Sequence, residues 1–210
     1  MSEKETTRIE AFSDAVFAVA ITLLVLDLKV PRAADHPNAA ALLAALRDEA
    51  PSYLAFVTSF ATILILWVNH HGIFTLVHKA STRFHFANGL LLLLVTTVPF
   101  STALVSEYLG HPGASVAAAV YAGTFVLMDI SFNLLWHVAS HRRALVHADV
   151  PDESLRKITY YYLLGFPVYL LATGLAFVHP YISVAICTGV WIFWAVKGAH
   201  HQAELAKQHW

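Results

Sequence analysis

Residues 8–31 read RIEAFSDAVFAVAITLLVLDLKVP. From Ile9 to Leu28 this is one apolar run, opened by Arg8, Glu10, Ser13 and Asp14 and closed by Asp27 and Lys29. About 20 mostly apolar residues cross a bilayer as a helix, so Ile9–Leu28 is long enough to span. The run is long and a polar stretch precedes it, which argues for a retained helix rather than a cleaved signal peptide. A charge deep in a span costs about 2.5–3.5 kcal/mol, so those present need partners or a wet cavity. Arg8 and Asp14 point about 240° apart at 100° per residue and cannot pair along one face. Each is expected to bond to another helix, or else Arg8 snorkels with Asp14 close to water. Phe12, Val19, Leu23 and Leu26 share one stripe, beside a second stripe of small residues, Ala11, Ala15, Ala18 and Thr22. Small residues let membrane helices approach closely. On spacing alone the apolar stripe is a packing face, a lipid face or a gate, and Thr22 is a back-bonder to its own helix or a ligand.

The rest of the chain follows the same pattern. Its 210 residues are 58% hydrophobic and 13% charged, against about 45–50% and about 25% in soluble domains. Five more apolar stretches succeed the first: Tyr53–Val77, Phe86–Ser106, Ala114–Val138, Ile158–Val178 and Tyr181–Val196, the last two joined at His179-Pro180. All are expected to be helices, because backbone in lipid must satisfy its own hydrogen bonds. The expected fold is therefore all-α: a polytopic membrane protein of six transmembrane helices, with residues 1–210 forming one domain. Asn38–Asp48, Ala/Leu-rich and too short to span, reads as a short interfacial or extracellular helix, or as a loop. Of the 13 Lys and Arg, Lys29, Arg32 and Arg47 lie on one side. The others (Lys4, Arg8, Lys79, Arg83, Arg142, Arg143, Arg156, Lys157, Lys197 and Lys207) lie on the other. By the positive-inside rule both termini are cytoplasmic.

Several chemistries find no residues. Cys187 is the single cysteine, so neither an intrachain disulfide nor a Cys-based zinc pattern can form. No basic patch with interleaved aromatics suggests nucleic acid. Adjacent histidines, His70-His71 and His200-His201, point about 100° apart on a helix, a poor geometry for one metal ion. Asp129, Asn133 and His137 recur at four-residue spacing on one face of the fourth span, as polar glue between helices or as a proton relay. No nucleophile with a base can be assembled, so no enzyme is expected, and no cofactor.

Three motifs carry a resemblance. The run Arg8-Ile9-Glu10-Ala11-Phe12-Ser13-Asp14 is similar to the R-x-x-x-F-S-D signature of the transmembrane protein 175 family of potassium channels. Trp67-Val68-Asn69-His70-His71 resembles its W-x-x-x-H segment, and Leu94 to Thr102 (LVTTVPFST) its L-x-x-x-x-P-F-x-T segment. The likeness covers most of the chain and looks like a bacterial member with one six-helix unit, where animal members carry two. It implies a homotetramer in the cell membrane whose first helices surround a pore. By the motif's register, Val19, Leu23 and Leu26 form the constriction and Thr22 the threonine layer past which potassium ions move. Val19 replaces the family's usual isoleucine, which widens that ring slightly. Arg8, Phe12, Ser13 and Asp14 carry the signature, and Trp67 and His71 are the expected holders of its polar groups.

The resemblance and the residues agree. Val19, Leu23 and Leu26 fall within about 60° of one another on a helix, and an apolar ring stops ions by dewetting. No TVGYG-like filter exists, so potassium preference over sodium is expected to be modest. The competing function is a proton-coupled transporter using Asp129, His137 and Asp14. Transporters usually carry internal repeats and broken helices, and the sequence suggests neither here.

Overall fold

The computed structural model describes residues 3–190 and 192. Among these, the named elements are helical, and the extended pairing is a single antiparallel bridge between Val77 and Val146. Helix α1 runs Glu3–Leu23 and tightens into a 3-10 turn over Leu24–Asp27. No glycine or proline interrupts it, and the extended backbone of Leu28 ends it ahead of Pro31. Helix α2, Ala39–Asp48, is capped by the Asn38 side chain, which accepts from the Ala41 N–H at 2.9 Å. Helix α3, Ala50–Leu76, carries Pro51 in its first turn, where a missing N–H leaves no bond unmade. Then follow α4 (Thr82–Val95), α5 (Val98–Tyr108), α6 (Ala114–Ser140), α7 (Asp152–Leu163) and α8 (Gly165–Leu175). A last helix, α9, covers Pro180–Val190.

Among the described residues, five stretches are long and apolar enough to cross a membrane: Thr6–Asp27, Ala50–Leu76, Thr82–Tyr108, Ala114–Arg143 and Asp152–Leu175. The expected sixth, Tyr181–Val196, begins as α9, and its far end lies outside the described residues, as do Lys197, His200, His201 and Lys207.

Two of the spans are broken, contrary to the expectation of continuous helices. The third is interrupted at Thr96–Thr97, shortly before Pro99, and the fifth at Leu164, shortly before Pro167. Proline has no N–H, and its ring clashes with the carbonyl four residues back, which is Val95 in one span and Leu163 in the other. Lipid offers no substitute partner, so carbonyls near each break need local ones. The Thr96 and Thr97 hydroxyls donate to the carbonyls of Leu93 and Leu94, both at 2.7 Å. In the fifth span Asn133, reaching across from α6, donates to the Tyr162 carbonyl at 3.0 Å.

Helix α6 is the centre of the bundle, packed against α4, α5, α7 and α8. Its inner face is large and buried, with Tyr121, Phe125, Met128, Leu135 and Trp136 all sealed from solvent. Hydroxyls join neighbours inside this core: Thr102 of α5 donates to Ser59 of α3 at 2.7 Å, and Ser59 lies 3.1 Å from the Tyr121 hydroxyl.

Asp129 and Asn133 act as glue in this bundle. The Asn133 amide that bonds Tyr162 also donates to Asp129 Oδ2 at 3.0 Å, and Asp129 Oδ1 lies against Gly165, where an added Cβ would overlap it. Gly165→Ala should therefore lower stability by about 1–3 kcal/mol, seen as a lower thermal unfolding midpoint in detergent. Adding Asp129→Ala should recover part of the loss. Equal midpoints for wild type and Gly165→Ala would show that the carboxylate moves aside freely.

Candidate functional site

Helix α1 has two different faces. Ser13, Phe17, Ala20 and Leu24 are buried against the rest of the chain at four-, three- and four-residue spacing. That helix packs on α3, α4 and α5. On the opposite side Val19 is 56%, Leu23 43% and Leu26 74% exposed, whereas Leu24 is 0%. Phe12, Ala11, Ala15, Ala18 and Thr22 are exposed as well. The 3-10 turn refines this face. At 3.0 residues per turn, Leu26 comes directly over Leu23 rather than about 60° round the helix.

Thr22 does back-bond: its hydroxyl donates to the Val19 carbonyl at 2.9 Å. With the proton committed to the backbone, the exposed hydroxyl oxygen keeps its lone pairs as acceptors, the polarity a cation requires.

The buried face is held by side-chain bonds. Trp67 Nε1 of α3 donates to Asp14 Oδ1 at 2.8 Å. Asn88 of α4 donates from Nδ2 to Ser13 Oγ at 2.9 Å, and Ser13 Oγ donates back to the Ile9 carbonyl at 2.8 Å. His70 Nε2 lies 2.8 Å from Asn88 Oδ1, so the ring donates there, leaving a buried Nδ1 without a partner among the described residues. Phe17 and Phe74 flank the His70 ring at 5.2 and 4.6 Å between centroids. His71 pairs with Glu10 at 2.7 Å. At the other end of the span, Lys29 binds Glu107 of α5. The bond to Glu107 raises the pKa of Lys29.

The partners differ in part from those expected. Trp67 bonds Asp14, but His71 goes to Glu10 and not to Arg8, Ser13 or Asp14. Arg8 is exposed and has no ion pair among the described residues. It lies four residues before Phe12, which puts it on the outward stripe. Ser13 is held through Asn88 and His70, which the motifs did not single out. Asn88 did carry a signal, since an amide within an apolar helix is costly unless bonded.

Known proteins match this chain in sequence and fold. Residues 8–99 match the family described as endosomal/lysosomal potassium channel TMEM175. A potassium channel of Chamaesiphon minutus is 49% identical over 93% of this chain and 96% of its own length. The chain belongs to the TMEM175 family. A potassium channel of Streptomyces collinus is 44% identical to this TMEM175 protein, over 86% of this chain and 87% of its own. The crystal structure of a lysosomal potassium-selective channel TMEM175 homolog from Chamaesiphon minutus superimposes with a TM-score of 0.84 at 49% identity. It covers 93% of this chain and 98% of that one. The TMEM175 family is one of channels, not enzymes, and this member is an all-α membrane protein.

Trp67→Phe keeps an aromatic ring but removes the donor to a carboxylate. The expected loss is about 1.5–3 kcal/mol, read as a lower unfolding midpoint and a smaller folded fraction after extraction. A midpoint equal to wild type would mean that water replaces the indole at Asp14.

Proposed function

We propose that this chain is one of four identical subunits of a passive potassium channel in the cell membrane, with both termini in the cytoplasm and the first helices around the pore. The observation that carries this reading is the division of α1 into a tethered face and an exposed apolar stripe. Four copies meeting at an axis bring Val19, Leu23 and Leu26 together as stacked rings. A hydrated cation crosses such a dry gap only at high cost, so the stripe is the gate. Thr22, on the same outward side, offers acceptor oxygens to a partly dehydrated ion and supports a modest preference for potassium over sodium. Exposed Ala11, Ala15 and Ala18 fit close approach between neighbouring helices. Arg8, on the outward stripe near the N-terminal end, stands at the cytoplasmic mouth or meets the next subunit.

The residues of a proton-coupled alternative have separate partners. Asp14 bonds Trp67, Asp129 bonds Asn133, and the His137 ring lies 5.2 Å from that of His141. This favours the channel, even though two spans are broken.

Potassium flux into liposomes tests the assignment. Leu23→Ser wets the ring and should raise the leak at least about tenfold, which corresponds to about 1.4 kcal/mol off the barrier. Leu24→Ser buries a hydroxyl in the subunit's own core and should lower stability while leaving the leak of the folded fraction unchanged. A leak from Leu24→Ser but not from Leu23→Ser would mean that the helix is rotated.

Thr22→Val replaces the hydroxyl by a methyl of similar size. Reversal potentials in mixed potassium and sodium should move toward the non-selective value while current persists. An unchanged ratio would assign selectivity to other groups.

A further inference from the structure

A second site lies away from α1, where the α3–α4 and α6–α7 connections meet. Their backbones are clamped: Val77 and Val146 form an antiparallel bridge, with His78 N–H donating to Leu145 and His147 N–H to the Leu76 carbonyl, both at 3.0 Å. The two valines are buried. The bridge sets the His78 and His147 rings 5.3 Å apart. Arg143 closes the far side. Its guanidinium binds Asp152 and the carbonyls of Ala148 and Val150, and Arg142 and Arg143 both adopt left-handed backbone, at φ 52° and 54°. Non-glycine residues rarely adopt that conformation, and where they do the surroundings must enforce it.

Between these loops lies an open cleft of about 680 Å³. His78, Lys79, Arg143 and His147 line it together with two alanines and a valine, and among the described residues no carboxylate lines it. Lys79 is exposed and forms no ion pair with a described residue. His78 Nδ1 is buried without a hydrogen-bond partner among the described residues. Asp152, outside the lining, neutralises part of the Arg143 charge, so among the described residues Lys79 and the two imidazoles are the free groups. Helices α3 and α6 end just before these loops, at Leu76 and Ser140, and loops that directly follow membrane spans lie near the lipid phosphates.

We propose that this cleft binds a phosphate group, and that the group belongs to the headgroup of an anionic phospholipid. Lys79 supplies the charge and the imidazoles supply directed N–H donors. The clamped loops hold these donors in place before the ligand arrives. Basic pockets between membrane helices on the cytoplasmic side suit anionic headgroups in this way. A soluble phosphate is the other source of the same chemistry.

Thermal unfolding of the purified full chain, titrated in mixed micelles, tests the proposal. The probes are phosphatidylglycerol, phosphatidylcholine and inorganic phosphate. Phosphatidylglycerol should raise the wild-type midpoint more than phosphatidylcholine does. Lys79→Gln, a change at an exposed and unbonded side chain, should weaken that response by about fivefold in apparent affinity. Adding His147→Gln should weaken it further. Equal responses of wild type and Lys79→Gln, or of the two lipids, overturn the site. A response to inorganic phosphate that matches phosphatidylglycerol and is lost in Lys79→Gln supports the phosphate site and overturns the lipid as its source.

Discussion

Asp14 sits within the first membrane span, and its carboxylate is tolerable there because Trp67 donates to it at 2.8 Å. Much else depends on that bond and on the Asn88–Ser13 bond beside it. Together they fix one face of α1 to α3 and α4, and so determine which face is left over. Charged and amide groups are effective in this role because in lipid an unmade bond is expensive and water is scarce. Apolar contacts alone would hold the helix less specifically, since lipid tails are as apolar as leucine. The pore-facing reading of Val19, Leu23 and Leu26 is thus a consequence of polar chemistry on the opposite side of the helix.

The same rule governs the interior of the subunit. Prolines break two spans, and the threonines of the third and Asn133 at the fifth take up carbonyls beside the breaks. Asp129 is held in this arrangement, bonded to Asn133 and packed on Gly165. Asn133, one of three polar residues on a single face of α6, braces the neighbouring helix through the Tyr162 carbonyl. The broken helices here come from proline and its local repair.

Hydropathy made the membrane spans legible, because a stretch of about 20 apolar residues has few other uses. Their ends are less legible: the expected Tyr53–Val77 is Ala50–Leu76, but the expected Ile158–Val178 is Asp152–Leu175, six residues earlier at its start. The breaks were hidden, since Pro99 and Pro167 lie in runs whose hydropathy does not change and membrane helices often tolerate proline. Within α1, the stripe of Val19, Leu23 and Leu26 followed from periodicity. That Leu24 faces inward follows from the same count, but the 3-10 turn that brings Leu26 over Leu23 does not. Partners across helices were the least legible part. The motif drew notice to His71, yet His71 meets Glu10, and it is buried His70 that joins Asn88 and Ser13. One residue of helix phase separates the two histidines, and only packing against α4 decides which turns inward.

A structure of the protein in a lipid nanodisc, determined under potassium, tests the central claim most directly. The account predicts four copies around an axis, with the Leu23 side chains of all four in mutual contact there and Trp67 still on Asp14 within each subunit. Leu23 side chains directed into lipid, or a different set of α1 residues at the axis, would contradict it.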